Sequence, residues 1–177
     1  MNGINIAEAC HVVNVLPAVS ISGGKTTVPV HLKGAAHLTL ILSFGVQGAA
    51  APTSFIINQA TTEAAGTVSA MPFRFYYQTT SGAGNDTLAG PYYAAATGIT
   101  STLPTGAAMP TSVASLVFVF EIDAAELESV ADVVGTITEY PYVELVIADS
   151  GNVTIGSCIA ILSGLRYAYK GSPTVTT

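Results

Sequence analysis

The sequence predicts an all-β protein, and two observations support this. Short segments rich in β-branched, aromatic and leucine side chains recur between clusters of glycine, proline, serine and asparagine, which is the pattern of strands separated by turns. Several segments alternate apolar and polar residues, so each strand would have one core face. Helical spacing occurs near 123–128, where Asp123 and Glu126 are placed as an N-cap and its return partner, and one short helical turn is expected there.

Ten segments carry the strand pattern. The second contains Pro29, which cannot donate to a ladder and therefore predicts an edge or bulged strand. The third and the fifth show clear alternation, with leucines at 38, 40 and 42 and aromatic rings at 73, 75 and 77. In chain order the ten segments are 11–16, 26–32, 37–44, 54–58, 73–78, 116–122, 136–140 (the weakest), 142–148, 152–162 and 165–169.

The segment 116–120 is apolar on both faces, which is typical of a strand whose outer side is also covered, by a loop or by another subunit. Residues 149–152 have the composition of a hairpin turn. The strand that follows is expected to bend or split at Gly156.

The length of 177 residues is enough for one independent core, so residues 1–177 are expected to form a single domain. Residues 1–9 hold one charge and no strong strand pattern, and residues 171–177 are polar and interrupted by proline. Both are expected to lie outside the core, as an N-terminal arm and a C-terminal tail. Residues 81–112 are rich in Gly, Ala, Thr and Pro with little periodicity, which predicts a long surface excursion.

Charge is scarce in this chain. It has 5 basic and 11 acidic residues, while half of its residues are apolar. Because the surface of an ordinary monomer is about 25–35% charged, this composition predicts a homo-oligomer, with a trimer as the expected order. Five scattered cations argue against nucleic-acid binding. No apolar run approaches the roughly 20 residues of a membrane span, and without an export signal the chain is expected to fold in the cytoplasm.

The candidate chemical motifs have simpler explanations. Residues 23–26 copy the end of a phosphate-binding loop, but Val19 stands where the first glycine belongs and a strand follows. Glu121 and Asp123 could share a strand face as paired carboxylates, yet a strand end leading into the capped turn explains them. Cys10 and Cys158 are expected to be free thiols. We therefore expect a non-enzymatic protein with no cofactor and no catalytic, cofactor-binding or metal-binding residue.

Interface residues are predicted from aromatic and aliphatic side chains in loops, at strand ends and in the N-terminal arm. Amphipathic tyrosine rings near strand ends favour subunit contacts, and the absence of tryptophan makes a glycan-binding platform the weaker alternative. The candidates are Ile4, Ile6, Tyr92, Tyr93, Tyr167 and Tyr169.

The residue strings at 9–17, 23–26, 120–127, 142–145 and 160–175 resemble small structural proteins of tailed-bacteriophage virions. The resemblance spans most of the chain, is weakest at 81–112, and carries no chemical motif. It implies a β-sandwich, jelly-roll-like body that binds the outside of the capsid as a decoration or cement protein. The implied partners are the major capsid protein and further copies of this chain, with no nucleic acid and no membrane.

Two alternatives stay open. A tail-tube or other ring-forming β-sandwich protein of the virion would share this composition, but should carry a long hairpin for stacking on the next ring. A glycan-binding head fibre or an enzyme domain would require an exposed aromatic platform or convergent carboxylates.

Overall fold

The computed structural model describes residues 9–45, 54–78, 88–100, 116–127, 129–131, 137–148 and 155–165. Within these ranges the chain is nearly all β, its strands pair antiparallel, and one short 3-10 turn covers Ala124–Glu126. Two sheets face each other across an apolar core. The predicted all-β, antiparallel sandwich and the helical turn near 123–128 are confirmed.

The described residues form thirteen strands, most of them within the predicted segments. In chain order they are β1 His11–Ser20, β2 Lys25–Thr26, β3 Val30–His31, β4 His37–Phe44, β5 Phe55–Ala60, β6 Val68–Met71, β7 Phe73–Gln78, β8 Leu88–Ala94, β9 Leu116–Asp123, β10 Ser129–Ala131, β11 Ile137–Glu139, β12 Tyr142–Ile147 and β13 Ile155–Ser163.

The strands fall into two large sheets and one small pair. The six-stranded sheet has the order β1-β13-β4-β9-β7-β8. In the second sheet β12 lies between β5 on one side and both β2 and β3 on the other, and β6 follows β5 at the far edge. Strands β10 and β11 pair only with each other in the described part of the chain.

Aromatic rings join the two sheets. Phe55 on β5 lies 6.0 Å from Phe44 on β4 and 4.8 Å from Phe118 on β9, between ring centroids. Phe120 adds a further contact to Phe55 at 5.9 Å. All four rings are buried, so this cluster is the centre of the sandwich.

Three features differ from the sequence-based expectation. Strand β8 lies inside the segment 81–112, where a surface excursion was expected; a register shift opposite β7 breaks its alternation and hides the strand pattern. Strand β6 was not predicted because Met71 is its one buried residue. Of the strand predicted at 152–162, the described part begins at Ile155, and no split occurs at Gly156, whose missing side chain leaves room for Ile21 and Phe44.

The edge prediction for the segment containing Pro29 is confirmed. The chain forms two short strands, β2 and β3, on either side of this proline at the edge of the second sheet. Several predictions fall outside the described residues. They are residues 1–8 of the arm predicted at 1–9, the turn predicted at 149–152, residues 166–169 of the strand predicted at 165–169, and the tail predicted at 171–177.

Candidate functional site

The main polar cluster of the described residues lies on the outer face of the six-stranded sheet. It consists of His37 on β4, Glu121 and Asp123 on β9, and Arg74 on β7, and we call it the His37 cluster. Strand register brings these side chains together, because His37 is paired with Asp123 across β4 and β9, and Arg74 is paired with Glu121 across β7 and β9.

Both ring nitrogens of His37 contact carboxylates. Nδ1 lies 2.6 Å from Oδ1 of Asp123, and Nε2 contacts Oε2 of Glu121. An ionised carboxylate only accepts hydrogen bonds, so both contacts are satisfied at once only when both ring nitrogens carry protons. The geometry therefore favours the imidazolium form of His37.

The remaining contacts close the network. Arg74 donates from Nη2 to the second oxygen of Asp123, so this carboxylate is shared between two cations. The hydroxyl of Thr39 donates to Oε2 of Glu121 at 3.0 Å. The backbone N–H of Asp123 donates to the side chain of Glu126 at 3.3 Å, which is the return bond expected of the capped turn.

The pKa shifts agree with this geometry. Partial burial pulls the pKa of His37 down, but hydrogen bonds to Asp123 and Glu121 and the charges of these carboxylates outweigh burial and raise it. The hydrogen bond from His37, together with the charge of Arg74, lowers the pKa of Asp123. General acid–base catalysis by two carboxylates needs groups that are free to exchange protons with a substrate, whereas both carboxylates here are engaged by His37. The arrangement supports an ion network that ties three strands together.

The described residues offer little else for chemistry. No group of His, Cys, Asp and Glu side chains within the described ranges is arranged to hold a metal ion. An open groove of about 380 Å³ lies beside the 3-10 turn, and its polar lining consists of Lys33, Glu139 and Tyr140. The two cysteines are free thiols, as expected; Cys158 is buried, and burial raises its pKa to about 12.

Across the described ranges, the structure contains no helix that could cross a membrane.

Of the six predicted interface residues, two are described. Tyr92 points inward from β8, with its ring 5.6 Å from those of Phe75 and Tyr77, so it packs against the core. Tyr93 is 71% exposed on the outer face, opposite Arg74. Tyr93 is thus the better placed of this pair for a contact. The others, Ile4, Ile6, Tyr167 and Tyr169, lie outside the described residues.

Exposed apolar side chains concentrate on the same outer face as the His37 cluster. Seven large hydrophobic residues of the described chain are exposed, and register places five of them here. A solvated sheet face normally presents polar residues. The five are Val12, Leu88, Tyr93, Ile155 and Ile159, whereas Val28 and Val68 lie elsewhere.

The two carboxylates of the cluster were predicted from the sequence, whereas their cationic partners were not. His37 and Arg74 lie 84 and 47 positions before Glu121, so only the pairing of β4, β9 and β7 brings them together. The one available signal was their shared position at outward sites of alternating strands.

Loss of the His37 side chain is expected to cost the most stability at acidic pH. The raised pKa of His37 means that its contribution is complete below about 6.5, the ordinary value, and is lost as pH rises through the folded-state pKa. Chemical unfolding of His37→Gln and wild type from pH 5 to 9 should therefore show a difference that shrinks with pH. The expected difference is about 1 kcal/mol at most, since the ion pairs are partly exposed.

His31 provides the control. Its pKa is lowered by burial and by Lys33, so its protonation on acidification destabilises the fold. The free energy of unfolding of wild type, relative to that of His31→Gln, should therefore increase as pH rises. A His37→Gln difference that stays constant or grows with pH would contradict the ion network.

No protein-family model matches the chain, and no curated protein matches its sequence.

Proposed function

We propose that this protein is a non-enzymatic structural protein of a tailed-phage virion that binds the capsid exterior as a decoration or cement protein. Its partners would be the major capsid protein and further copies of itself. The observation that carries the proposal is the exposed apolar surface. Of the seven large hydrophobic side chains exposed among the described residues, five share one sheet face, in a chain with 16 charged residues. Such a surface is typical of a protein that works in an assembly.

The strand order supports the jelly-roll expectation. β1-β13-β4-β9 in one sheet faces β2/β3-β12-β5-β6 in the other, and β7 and β8 extend the first sheet. Along the chain, β1 is followed by β2 and β3 in the opposite sheet, and β4 is followed by β5 in the same way. Jelly rolls occur in viral capsid proteins and in lectins, so this arrangement fits a virion role without excluding a glycan ligand.

The His37 cluster favours a structural role over an enzymatic one. Its two carboxylates are each engaged by a cation, and Thr39, the hydroxyl beside them, already donates to Glu121. A hydroxyl nucleophile needs a base free to accept its proton. A glycan-binding domain would need an aromatic platform, and on the described outer face Tyr93 is the one strongly exposed ring.

The tail-tube alternative has less support. Outside the two large sheets, the described residues form the β10–β11 pair, whose strands have three residues each. A ring-stacking protein would require a longer hairpin.

Co-sedimentation with purified capsids from the same phage genome tests the proposal. We expect the protein with residues 1–177 to saturate the shells and to raise their melting temperature. Deleting residues 1–9, with the apolar side chains of Ile4 and Ile6, should weaken binding at least about tenfold, because many small contacts add across a symmetric shell. Deleting residues 171–177 provides the control for loss of a chain end.

Two results would count against this function. Absence of binding to shells would exclude a cement role, and protein found instead in purified tails would favour the tube alternative. Shell binding that is unchanged without residues 1–9 would move the contact from the arm to the sandwich.

A further inference from the structure

A continuous apolar row crosses the outer face of the six-stranded sheet. Ile159 on β13 is paired with Ile41 on β4, Ile41 with Val119 on β9, and Val119 with Tyr76 on β7. Four adjacent strands therefore present apolar side chains at directly opposed outward positions. At a strand spacing of about 4.8 Å, the row is roughly 14 Å long.

The flanks of the row are also poor in charge. Val12 is paired with Ile161 beside the row, and Ser43 is paired with Ser157 on its other side. Among the described outward positions of the six strands, the side chains of His, Lys, Arg, Asp and Glu are the four of the His37 cluster, and each of them is paired with at least one other member. Burying this face would therefore leave no charged side chain without a partner. An unpaired buried charge is the main electrostatic cost of an interface.

The charge balance favours a second copy of this chain as the occupant. The whole chain has a formal net charge of −6, so two copies repel each other at most orientations. On the outer face, however, His37 and Arg74 offset Glu121 and Asp123 when the imidazole is protonated, as its two carboxylate contacts favour. This face is therefore a place where two acidic copies can meet without net repulsion.

The area of the face is sufficient for a stable pair. Six strands of about eight residues, at about 4.8 Å between strands and 3.4 Å per residue, give a face on the order of 650 Å². Two such faces would bury on the order of 1,300 Å², within the range of about 1,200–2,000 Å² for specific interfaces.

We propose that the outer face of the six-stranded sheet is the self-association surface of this protein, with the row of Ile159, Ile41, Val119 and Tyr76 at its centre. The inference deepens the proposed function and rests on it in one respect, that the chain works as an oligomer. A face that meets its own copy produces a twofold pair. The trimer expected from the sequence would need a different contact.

Sedimentation equilibrium of wild type and Ile159→Lys tests this surface. Ile159 is 42% exposed in the single chain, so lysine is tolerated in the monomer but places an unpaired charge inside the pair. We expect a wild-type dimer and a dissociation constant at least about tenfold weaker for the variant. The matched control is Val68→Lys, at a 47% exposed position on β6 of the other sheet, which should dimerise like wild type.

The outcomes separate this surface from the capsid-binding role. If Ile159→Lys does not fold by circular dichroism, Val12→Lys at the 48% exposed edge position replaces it. A monomeric wild type, or an oligomer that resists both lysine variants, overturns the inference even if capsid binding is intact. A dimer that Ile159→Lys dissociates supports it even if the protein does not bind capsids, in which case the proposed function fails alone.

Discussion

Replacing Phe118 with alanine is expected to lower the free energy of unfolding by about 4 kcal/mol, the usual cost of removing a fully buried ring. Phe118 is 0% exposed, and its ring lies 4.8 Å from that of Phe55 and 6.1 Å from that of Phe120. Its loss therefore leaves a cavity between the two sheets. Domains of this size are stable by about 5–15 kcal/mol, so the variant should unfold at a much lower urea concentration than wild type.

Val68→Ala is the control for this substitution. Val68 lies 47% exposed on β6, and its truncation should change stability by about 0.5 kcal/mol or less. Equal losses in the two variants would mean that the packing of β5 against β9 is not the centre of the fold.

The core faces were predictable because period-two alternation survives wherever a strand has one buried side. The leucines at 38, 40 and 42 and the rings at 73, 75 and 77 are all buried, as their spacing predicts. Period-two alternation did not reveal β8, because a register shift opposite β7 interrupts the regular spacing of its inward residues. Local pattern thus predicts a regular strand and misses an irregular edge strand.

The candidate site was predictable only in part, because its members come from three strands distant in sequence. Glu121 and Asp123 are two residues apart, and their common strand face follows from alternation alone. His37 and Arg74 join them through the registers of β4 and β7 with β9, which no single segment encodes. The apolar row could likewise be predicted only in part. The sequence indicated the outward apolar residues of 116–120, but not that neighbouring strands place apolar residues beside them.

The two-sided apolar character of 116–120 nevertheless pointed to the surface that we propose for self-association. Leu116, Phe118 and Phe120 are buried in the core, while Val117 and Val119 point outward and are only partly covered. A covering loop or subunit was expected from the sequence for this side of the strand. In the proposed dimer, the second copy supplies that cover.

Gly98→Ala is expected to lower the free energy of unfolding by about 3 kcal/mol. Gly98 closes a turn after β8 by donating to the carbonyl of Ala95 at 2.8 Å, and Ile99 then pairs with Phe55 at the start of β5. Its φ of +79° lies in the left-handed region, which costs an alanine about 1–2 kcal/mol. A Cβ would also clash with the carbonyl oxygen of Phe55 and lie 2.8 Å from Cγ1 of Ile56, which adds an overpacking cost of about 1–3 kcal/mol.

Gly34→Ala separates these two costs. Gly34 has a φ of +93°, but an added Cβ would meet nothing within 4 Å, so this variant should lose only the backbone contribution of about 1–2 kcal/mol. Urea unfolding of both variants measures the excess loss in Gly98→Ala, which reports how tightly the turn after β8 is held against β5. Equal losses would show that this turn moves away from β5 without penalty, and that the contact between Ile99 and Phe55 contributes little to joining the two sheets at that end of the sandwich.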